Sequence, residues 1–291
     1  MNKKKKRLRR LWIILLVLAL LLGGELLYSN YAITVSRYSV SSEKLSAPLR
    51  IVFFSDLHGR EFGQGNQRLL KKIEAQSPDV ICMVGDIFNS DADEVEICAM
   101  CDTIQAVSRI APLYFCLGNH EAAYVRSNGT ALLERVREAG AVVLDASYLD
   151  LELKGNAIRI GGYMGFYQTP HMDSHDPEEQ RQHAAFASDF ERTDRFKLLL
   201  NHIPTNWLDW EYRNKYPVDL VLSGHYHGGI VRIPFLEQGL YAPYVGKFPP
   251  YTKGMFQGEK ACCILTTGFV GYKIPRFFNP PEIVVVELSP G

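Results

Sequence analysis

The stretch VDLVLSGHYHGG, residues 218–229, sets an apolar run against a glycine turn that carries two histidines one residue apart. VDLVL reads as a buried strand. The turn after it, with His225 and His227 between Gly224 and Gly228-Gly229, is either a surface turn that happens to contain histidine or part of a metal site. Recurrence decides between them. LRIVFF (49–54) is followed by SDLHG, with Asp56 and His58. DVICMV (79–84) leads into GD, with Asp86, and LYFCL (113–117) into GNHE, with Asn119, His120 and Glu121. KLLL (197–200) leads into NHIP, with His202. A lone histidine after a strand is commonly a hydrogen-bonded loop residue, and G-N-H-E could be a turn. Five polar clusters, each at a strand end, are not explained that way. They hold five of the eight histidines; the others are His171, His175 and His183.

Helical patterns separate the early strands. NQRLLKKIEAQ (66–76), DADEVEICAMCDTIQAVSRI (91–110) and TALLERVREAG (130–140) have apolar residues at helical spacing, the last ending on Gly140 as a C-cap. The rhythm predicts an α/β fold with parallel strands and crossover helices. In such sheets ligands bind beyond the carboxyl ends of the strands, which would bring all five clusters into one crevice. A strand-rich set comes next: AVVLD (141–145), YLDLEL (148–153), AIRIGG (157–162), ACCIL (261–265) and EIVVVEL (282–288). Residues 49–291 read as one domain. Residues 29–48, including SRYSVSSEKLSAP, read as a linker or a first edge strand.

Neutral imidazoles, carboxylates and a side-chain amide suit Mn, Fe or Zn better than the all-oxygen sphere of Ca. There are enough of them for two divalent ions that share one aspartate. Two such ions can stabilise both the attacking and the leaving oxygen of an in-line displacement, and can acidify a water into a hydroxide nucleophile. The glycines would let backbone and a substrate phosphate approach closely.

The N-terminus has a separate logic. MNKKKKRLRR holds seven basic residues and no acid, leaving the other 281 residues with 25 basic and 32 acidic groups, a net charge of −7. A mildly acidic body gives no reason to expect nucleic-acid binding. After the basic run comes LWIILLVLALLLGG (11–24), fourteen uncharged residues, then Glu25 and LLY. A basic flank followed by an apolar run of this length reads as an uncleaved signal-anchor over residues 1–28, with a cleaved signal as the alternative. The positive-inside rule would leave the basic end in the cytoplasm and the catalytic body outside, on a single-pass cell-membrane protein. Of the six cysteines, Cys82 and Cys116 read as buried thiols, Cys98 and Cys101 lie on one helix, and Cys262 and Cys263 would point to opposite faces of a strand.

The ordered set D-L-H, G-D, G-N-H-E, N-H and G-H-Y-H resembles the calcineurin-like metallophosphoesterase superfamily. The resemblance runs over roughly 49–288. It is nearest the bacterial membrane-associated branch that includes UDP-2,3-diacylglucosamine pyrophosphatase-like enzymes, on GHYHGGIVRIPF (224–235) and TGFVGYKIPRFFNPPEI (267–283). The resemblance implies a two-sheet αββα sandwich whose second sheet is formed by the strand-rich second half. It implies a binuclear centre in which Asp56, His58 and His227 hold one ion, Asn119, His202 and His225 the other, and Asp86 bridges. His120 would contact the substrate phosphoryl oxygen or protonate the leaving group. The activity implied is hydrolysis of a phosphodiester, pyrophosphate or phosphomonoester by metal-hydroxide attack, on a lipid or cell-envelope substrate in view of the anchor. A phosphoprotein or nucleotide phosphatase is the second reading, and a non-catalytic metal- or phosphate-binding sensor the third. Tyr226 and Ile230 replace the branch's usual Thr and Gln beside the site. Thr266-Thr267-Gly268 replaces Ser-Arg-Gly, so an arginine is missing there, and Arg276 lies nearby in sequence. The loop and helix of residues 165–186, with His171 and His175, are expected near the site mouth.

Overall fold

The computed structural model describes residues 3–165, 177–271 and 274–291. Helix α1 (Lys3–Tyr31) joins the basic flank and the apolar run in 29 residues, about 44 Å at 1.5 Å per residue. It has an 18-residue window of mean hydropathy 2.4 and almost no side chain buried, so by length and apolarity it is a candidate transmembrane span.

The body has two six-stranded mixed sheets. The first contains β1 (Thr34–Ser42), β2 (Leu49–Phe54), β3 (Val80–Val84), β4 (Leu113–Cys116), β5 (Ala141–Leu144) and β12 (Glu282–Pro290), in the order β1-β12-β2-β3-β4-β5. The second contains β6 (Ser147–Leu153), β7 (Asn156–Tyr163), β8 (Phe196–Asn201), β9 (Leu220–Ser223), β10 (Gly254–Gln257) and β11 (Cys262–Leu265), in the order β10-β11-β9-β8-β7-β6. Neighbours β2 to β5 run parallel, as do β7, β8, β9 and β11. Both faces of these strands, except the edge strand β5, are covered, which is why they read as continuous apolar runs. Ile51 and Phe53 of β2, Val80 and Cys82 of β3, Leu198 and Leu200 of β8, and Leu220 and Leu222 of β9 form the core between the sheets. Val52, Phe54, Ile81 and Met83 point the other way, onto α2 (Gln67–Glu74), α3 (Glu94–Ser108) and α5 (Ala131–Glu138). Leu199 and Val221 point out from the second sheet, onto α6 (Pro177–Glu191) and Trp207. The result is the expected αββα sandwich. Cys262 and Cys263 do face opposite layers, and all six cysteines are free thiols.

Two expectations change, and one alternative reading falls. First, residues 34–42 are not a linker. They pair along their whole length with β12 in parallel register, as the edge strand that was the alternative. Their serine-rich composition fits a strand hydrogen-bonded on one side only. Second, the strand-rich second half does not form the second sheet by itself. AVVL and EIVVVEL belong to the first sheet, while KLLL and VDLVL belong to the second. The five cluster-bearing strands are therefore split three and two, and their carboxyl ends meet across the sandwich at one edge instead of lining a single open sheet. Third, GNHE is not a turn but the start of a helix, α4 (Asn119–Asn128). His171, His175 and the side chain of His183 lie outside the described residues.

Candidate metal centre

The backbone at three of the five strand ends, those of β2, β3 and β9, is unusual before any side chain is considered. Asp56, His58, Asp86, His225 and His227 have φ of 57°, 47°, 53°, 70° and 47°. Left-handed conformations cost a non-glycine residue roughly 1 kcal/mol or more, and persist only where surrounding structure imposes them. Here the imposing structure is visible. The Asp56 N–H donates to Gly85 O (3.0 Å) and the His58 N–H to Asp86 O (3.0 Å), tying the β2 end to the β3 end. The Val270 N–H donates to Asp56 O (3.1 Å), and the His225 N–H donates to Asp56 Oδ1 (3.1 Å), tying in the second sheet. A Cβ on Gly224 would lie 2.2 Å from Ser55 Oγ and 2.7 Å from Asp56 Oδ2. That glycine therefore serves the packing of the turn on Asp56, not the approach of a substrate.

The side chains converge. Asp56, His58 and His227 bring ligand-capable atoms within 4.8 Å of one another, and so do Asp86, His202 and His225. Asp86 with His58 and His120 forms a third such group, between the other two. His58 Nε2, Asn119 Oδ1, His202 Nε2 and both ring nitrogens of His225 are buried without a hydrogen-bond partner. An orphaned buried polar atom costs about 1–3 kcal/mol, and so many in one spot point to an ion as their partner. His202 Nε2 lies 3.1 Å from Asp86 Oδ2 yet is not aligned for a hydrogen bond.

The far ring nitrogens are fixed. His202 Nδ1–H donates to Val84 O (2.7 Å), His227 Nδ1–H to Val270 O (2.9 Å), and His58 Nδ1–H to Asn89 Oδ1 (3.2 Å). Each leaves Nε2 as the free nitrogen, the arrangement metal-ligating histidines use. His120 is the exception. Its Nδ1 accepts from the Ser90 N–H (3.2 Å), so in the neutral ring Nε2 carries the proton. Half-buried and edge-on to His58 with ring centroids 4.6 Å apart, it offers a donor where the others offer lone pairs.

Electrostatics obey the same pattern. Burial, reinforced by His202, holds the His225 imidazole well below its ordinary range, and burial lowers His227 to about 4. Both are neutral at pH 7, as ligands must be. Burial also opposes charge on His202 and Asp86, but their mutual attraction wins. It raises His202 to about 9 and holds the Asp86 carboxyl well below the carboxylate range. A dication between them would supply the positive charge that the metal-free protein takes from a proton. The donor set fits two divalent ions.

Several supporting residues have no role assigned from sequence. Glu121, fully buried, accepts the N–H groups of Asp86 (2.9 Å), Ile87 (2.7 Å), Phe88 (2.9 Å) and Gly118 (2.8 Å). It thereby clamps the Asp86 turn to the start of α4. Burial and the Asp86 charge push its carboxyl above the ordinary value, against the opposing pull of the Phe88, Gly118 and Asp86 N–H groups. Its signal was the acid directly after G-N-H. Asn89 orients His58, and Glu96 in turn accepts from Asn89 N (2.7 Å) and Nδ2 (3.0 Å). Asn279 donates through Nδ2 to His227 O (2.7 Å) and Ile230 O (3.0 Å), a link of about 50 residues that no local pattern reveals. Arg276 does not stand in for the missing arginine. It is fully buried and donates to Thr267 O (2.9 Å), Gly268 O (2.9 Å) and Asn279 Oδ1 (3.0 Å), bracing the loop that carries Val270. Tyr226 is buried against Ala242 and Leu265, its hydroxyl 2.9 Å from Thr205 Oγ1, so it backs the turn and does not line its open side.

Residues 49–229 match the family model of the calcineurin-like phosphoesterases. An uncharacterised metallophosphoesterase of Aquifex aeolicus is 26% identical over 94% of this chain and 98% of its own length. The phosphodiesterase YaeI of Escherichia coli is 27% identical over 84% of this chain and 83% of its own. The UDP-2,3-diacylglucosamine pyrophosphatase LpxG of Chlamydia muridarum is 25% identical over 82% and 83%. With the five strand-end clusters gathered into one site and the match spanning well over half of the sequence, the chain belongs to the calcineurin-like phosphoesterases, a family of metal-dependent phosphoric ester hydrolases.

Proposed function

We propose that this is a membrane-anchored, binuclear-metal phosphoesterase acting on a phosphodiester or pyrophosphate of the cell envelope, with its body on the extracytoplasmic side. The observation that carries the metal assignment is the set of unpartnered buried atoms on His58, Asn119, His202 and His225 at the joint edge of the two sheets. Asp56, His58 and His227 would hold one ion, Asn119, His202 and His225 the second, and Asp86 would serve both. When bound, the pair supplies Lewis-acid charge and a water nucleophile of lowered pKa.

The chain's own residues do the rest. Val84, Val270 and Asn89 fix three imidazoles so that their Nε2 lone pairs face inward. Glu121 fixes the Asp86 turn against Asn119. His120, whose Nε2 proton is set by Ser90, would donate to a phosphoryl oxygen and then to the leaving oxygen. Preference for a substrate substituted on both sides of phosphorus is supported by two relatives named a phosphodiesterase and a pyrophosphatase. Anchoring and orientation are supported by α1 and its basic end.

The test uses full-length protein in detergent, stripped with chelator and refilled with Mn, Fe, Zn or Mg. Hydrolysis of bis(p-nitrophenyl) phosphate is compared with that of p-nitrophenyl phosphate. Metal-restored diester cleavage, lost in His225→Ala and His227→Ala, is expected. Monoester cleavage alone would favour a phosphoprotein or nucleotide phosphatase, and absence of stoichiometric metal would remove the central reading.

A further inference from the structure

Glu25 interrupts an apolar window, and the structure shows what it does there. Its Oε1 accepts the Phe278 N–H (3.0 Å) and the Ser29 hydroxyl (2.6 Å). Ser29 Oγ in turn accepts the Asn279 N–H (3.0 Å). Asn30 Nδ2 donates to Arg276 O (2.8 Å), its Oδ1 accepts the Arg276 N–H (3.1 Å), and its carbonyl accepts from Arg60 Nη2 (2.8 Å). The loop 274–279 therefore lies alongside the last two turns of α1, reaching back to the level of Glu25, about 9 Å before the helix ends at Tyr31. Whatever depth residues 25–31 have in a bilayer, this loop shares.

Several of the exposed side chains on the loops beside the helix are large and apolar. Ile274 is 55% exposed and, with Leu26 and Leu27, lines a cavity of about 480 Å3 between helix and body. Phe278 lines a second cavity with Phe235, whose ring is fully exposed, and Leu236 beside it is 69% exposed. Ile274 and Phe278 lie on the loop bonded to the helix, and Phe235 shares its cavity with Phe278 and with the charged Arg232, Glu237 and Lys253, so the rim they form is apolar at its exposed tips and charged behind them. Soluble proteins rarely expose such rims, and large apolar and aromatic side chains beside a span are what the membrane interface accommodates.

We propose that the rim formed by Phe235, Leu236, Ile274 and Phe278 docks into the bilayer surface beside α1. The body is thereby held against the membrane in one orientation and is not swinging on a tether. The inference rests on the membrane-anchored reading and adds the contact surface to it. The rim is next to the metal centre: Val270, which accepts from His227 Nδ1, also lines the cavity under Ile274, and Arg60, bonded to the helix end, is two residues from His58. Docking would place the centre at the headgroup level, where a phosphate ester carried by a lipid reaches it.

The test places p-benzoylphenylalanine, a photoreactive side chain, at single positions of the full-length protein in nanodiscs of radiolabelled phospholipid. The variants are Phe235→p-benzoylphenylalanine and Phe278→p-benzoylphenylalanine, with the same change at Leu15 in the middle of α1 and at Val142 on β5, the opposite edge of the first sheet. Both rim positions are expected to take up about tenfold more lipid label than position 142, approaching position 15. Label at 15 but not at 235 or 278 would overturn the docked rim while leaving the anchor standing. No label even at 15 would overturn the anchor and the rim together. Cross-linking of 235 or 278 to a second copy or another protein, in place of lipid, would assign the rim to that partner and overturn the proposal. None of these outcomes depends on hydrolysis, so loss of catalytic activity does not affect the result.

Discussion

His120 lies close enough to His58 and Asp86 to count geometrically among the ligand-capable groups, yet its protonation pattern differs from that of its neighbours. The Ser90 N–H fixes Nδ1 as the acceptor, so Nε2 is a donor and cannot also offer a lone pair in the neutral ring. This distinguishes a proton donor from a further ligand by experiment. His120→Ala is expected to keep two ions per chain and to lower kcat by about 10²–10⁴-fold, most on esters with a poor leaving group. Metal analysis beside steady-state kinetics on good and poor leaving groups checks it. Loss of one ion would make His120 a ligand, and unchanged turnover of the poor substrate would remove it from the chemistry. The same scale shows why glycine stands at position 118. Its φ of −97° is ordinary, but a Cβ there would meet Asp86 Oδ1 at 2.1 Å. The constraint is close approach between two chain segments, invisible in the dipeptide Gly118-Asn119 itself.

At the scale of elements, the metal-capable residue types and their places at strand ends are legible because each is local: an apolar run, a stop, a polar cluster. Pairing is not. β1 reads as linker because Ser36, Ser39, Ser41 and Ser42 carry no apolar periodicity, and its identity as a strand comes from β12, about 250 residues away. The start of α4 was hidden because Glu121, the residue that caps it, makes most of its hydrogen bonds to a different loop. Glu282 at the head of β12 is a further case. Fully buried, it accepts from Ser36 of β1, Lys253 at β10, and the Thr267 N–H (2.8 Å), joining both sheets to the loop behind the metal centre. Burial raises its pKa, but Lys253 and these hydrogen bonds outweigh burial and hold the carboxyl below its ordinary value. For an acid with a depressed folded pKa, the contribution to stability is present above the unfolded pKa of about 4.3 and is lost as pH falls through the lower, folded value. Glu282→Gln is therefore expected to cost about 2 kcal/mol at pH 7, with the deficit shrinking as the pH drops below about 4.3. Thermal melts of both proteins across that range test it; a deficit constant with pH would mean that packing, not charge, is what Glu282 contributes.

For the whole molecule, the question is whether α1 and the body move as one. A tether would leave the amides of Arg276, Phe278 and Asn279 open to water. In the structure all three donate to helix side chains: Asn30 Oδ1, Glu25 Oε1 and Ser29 Oγ. These contacts link the last turns of α1 directly to the loop that Arg276 braces, and through Val270 to His227. A continuous run of hydrogen bonds joins helix, loop and the candidate metal site. Asn30→Ala removes the donor to Arg276 O and the acceptor for the Arg276 N–H, two hydrogen bonds at about 1 kcal/mol each, while leaving the backbone carbonyl that holds Arg60. In full-length protein in nanodiscs, amide exchange at residues 276–279 is expected to quicken by about tenfold or more, since about 1.4 kcal/mol of lost protection already gives that factor. Exchange in β3 and β8, deep in the sandwich, should stay as it was. Unchanged exchange at 276–279 would mean that the loop is held by the body alone and that the helix is only a leash. Faster exchange confined to those residues, with metal content preserved, would mean that the anchor sets the posture of the site.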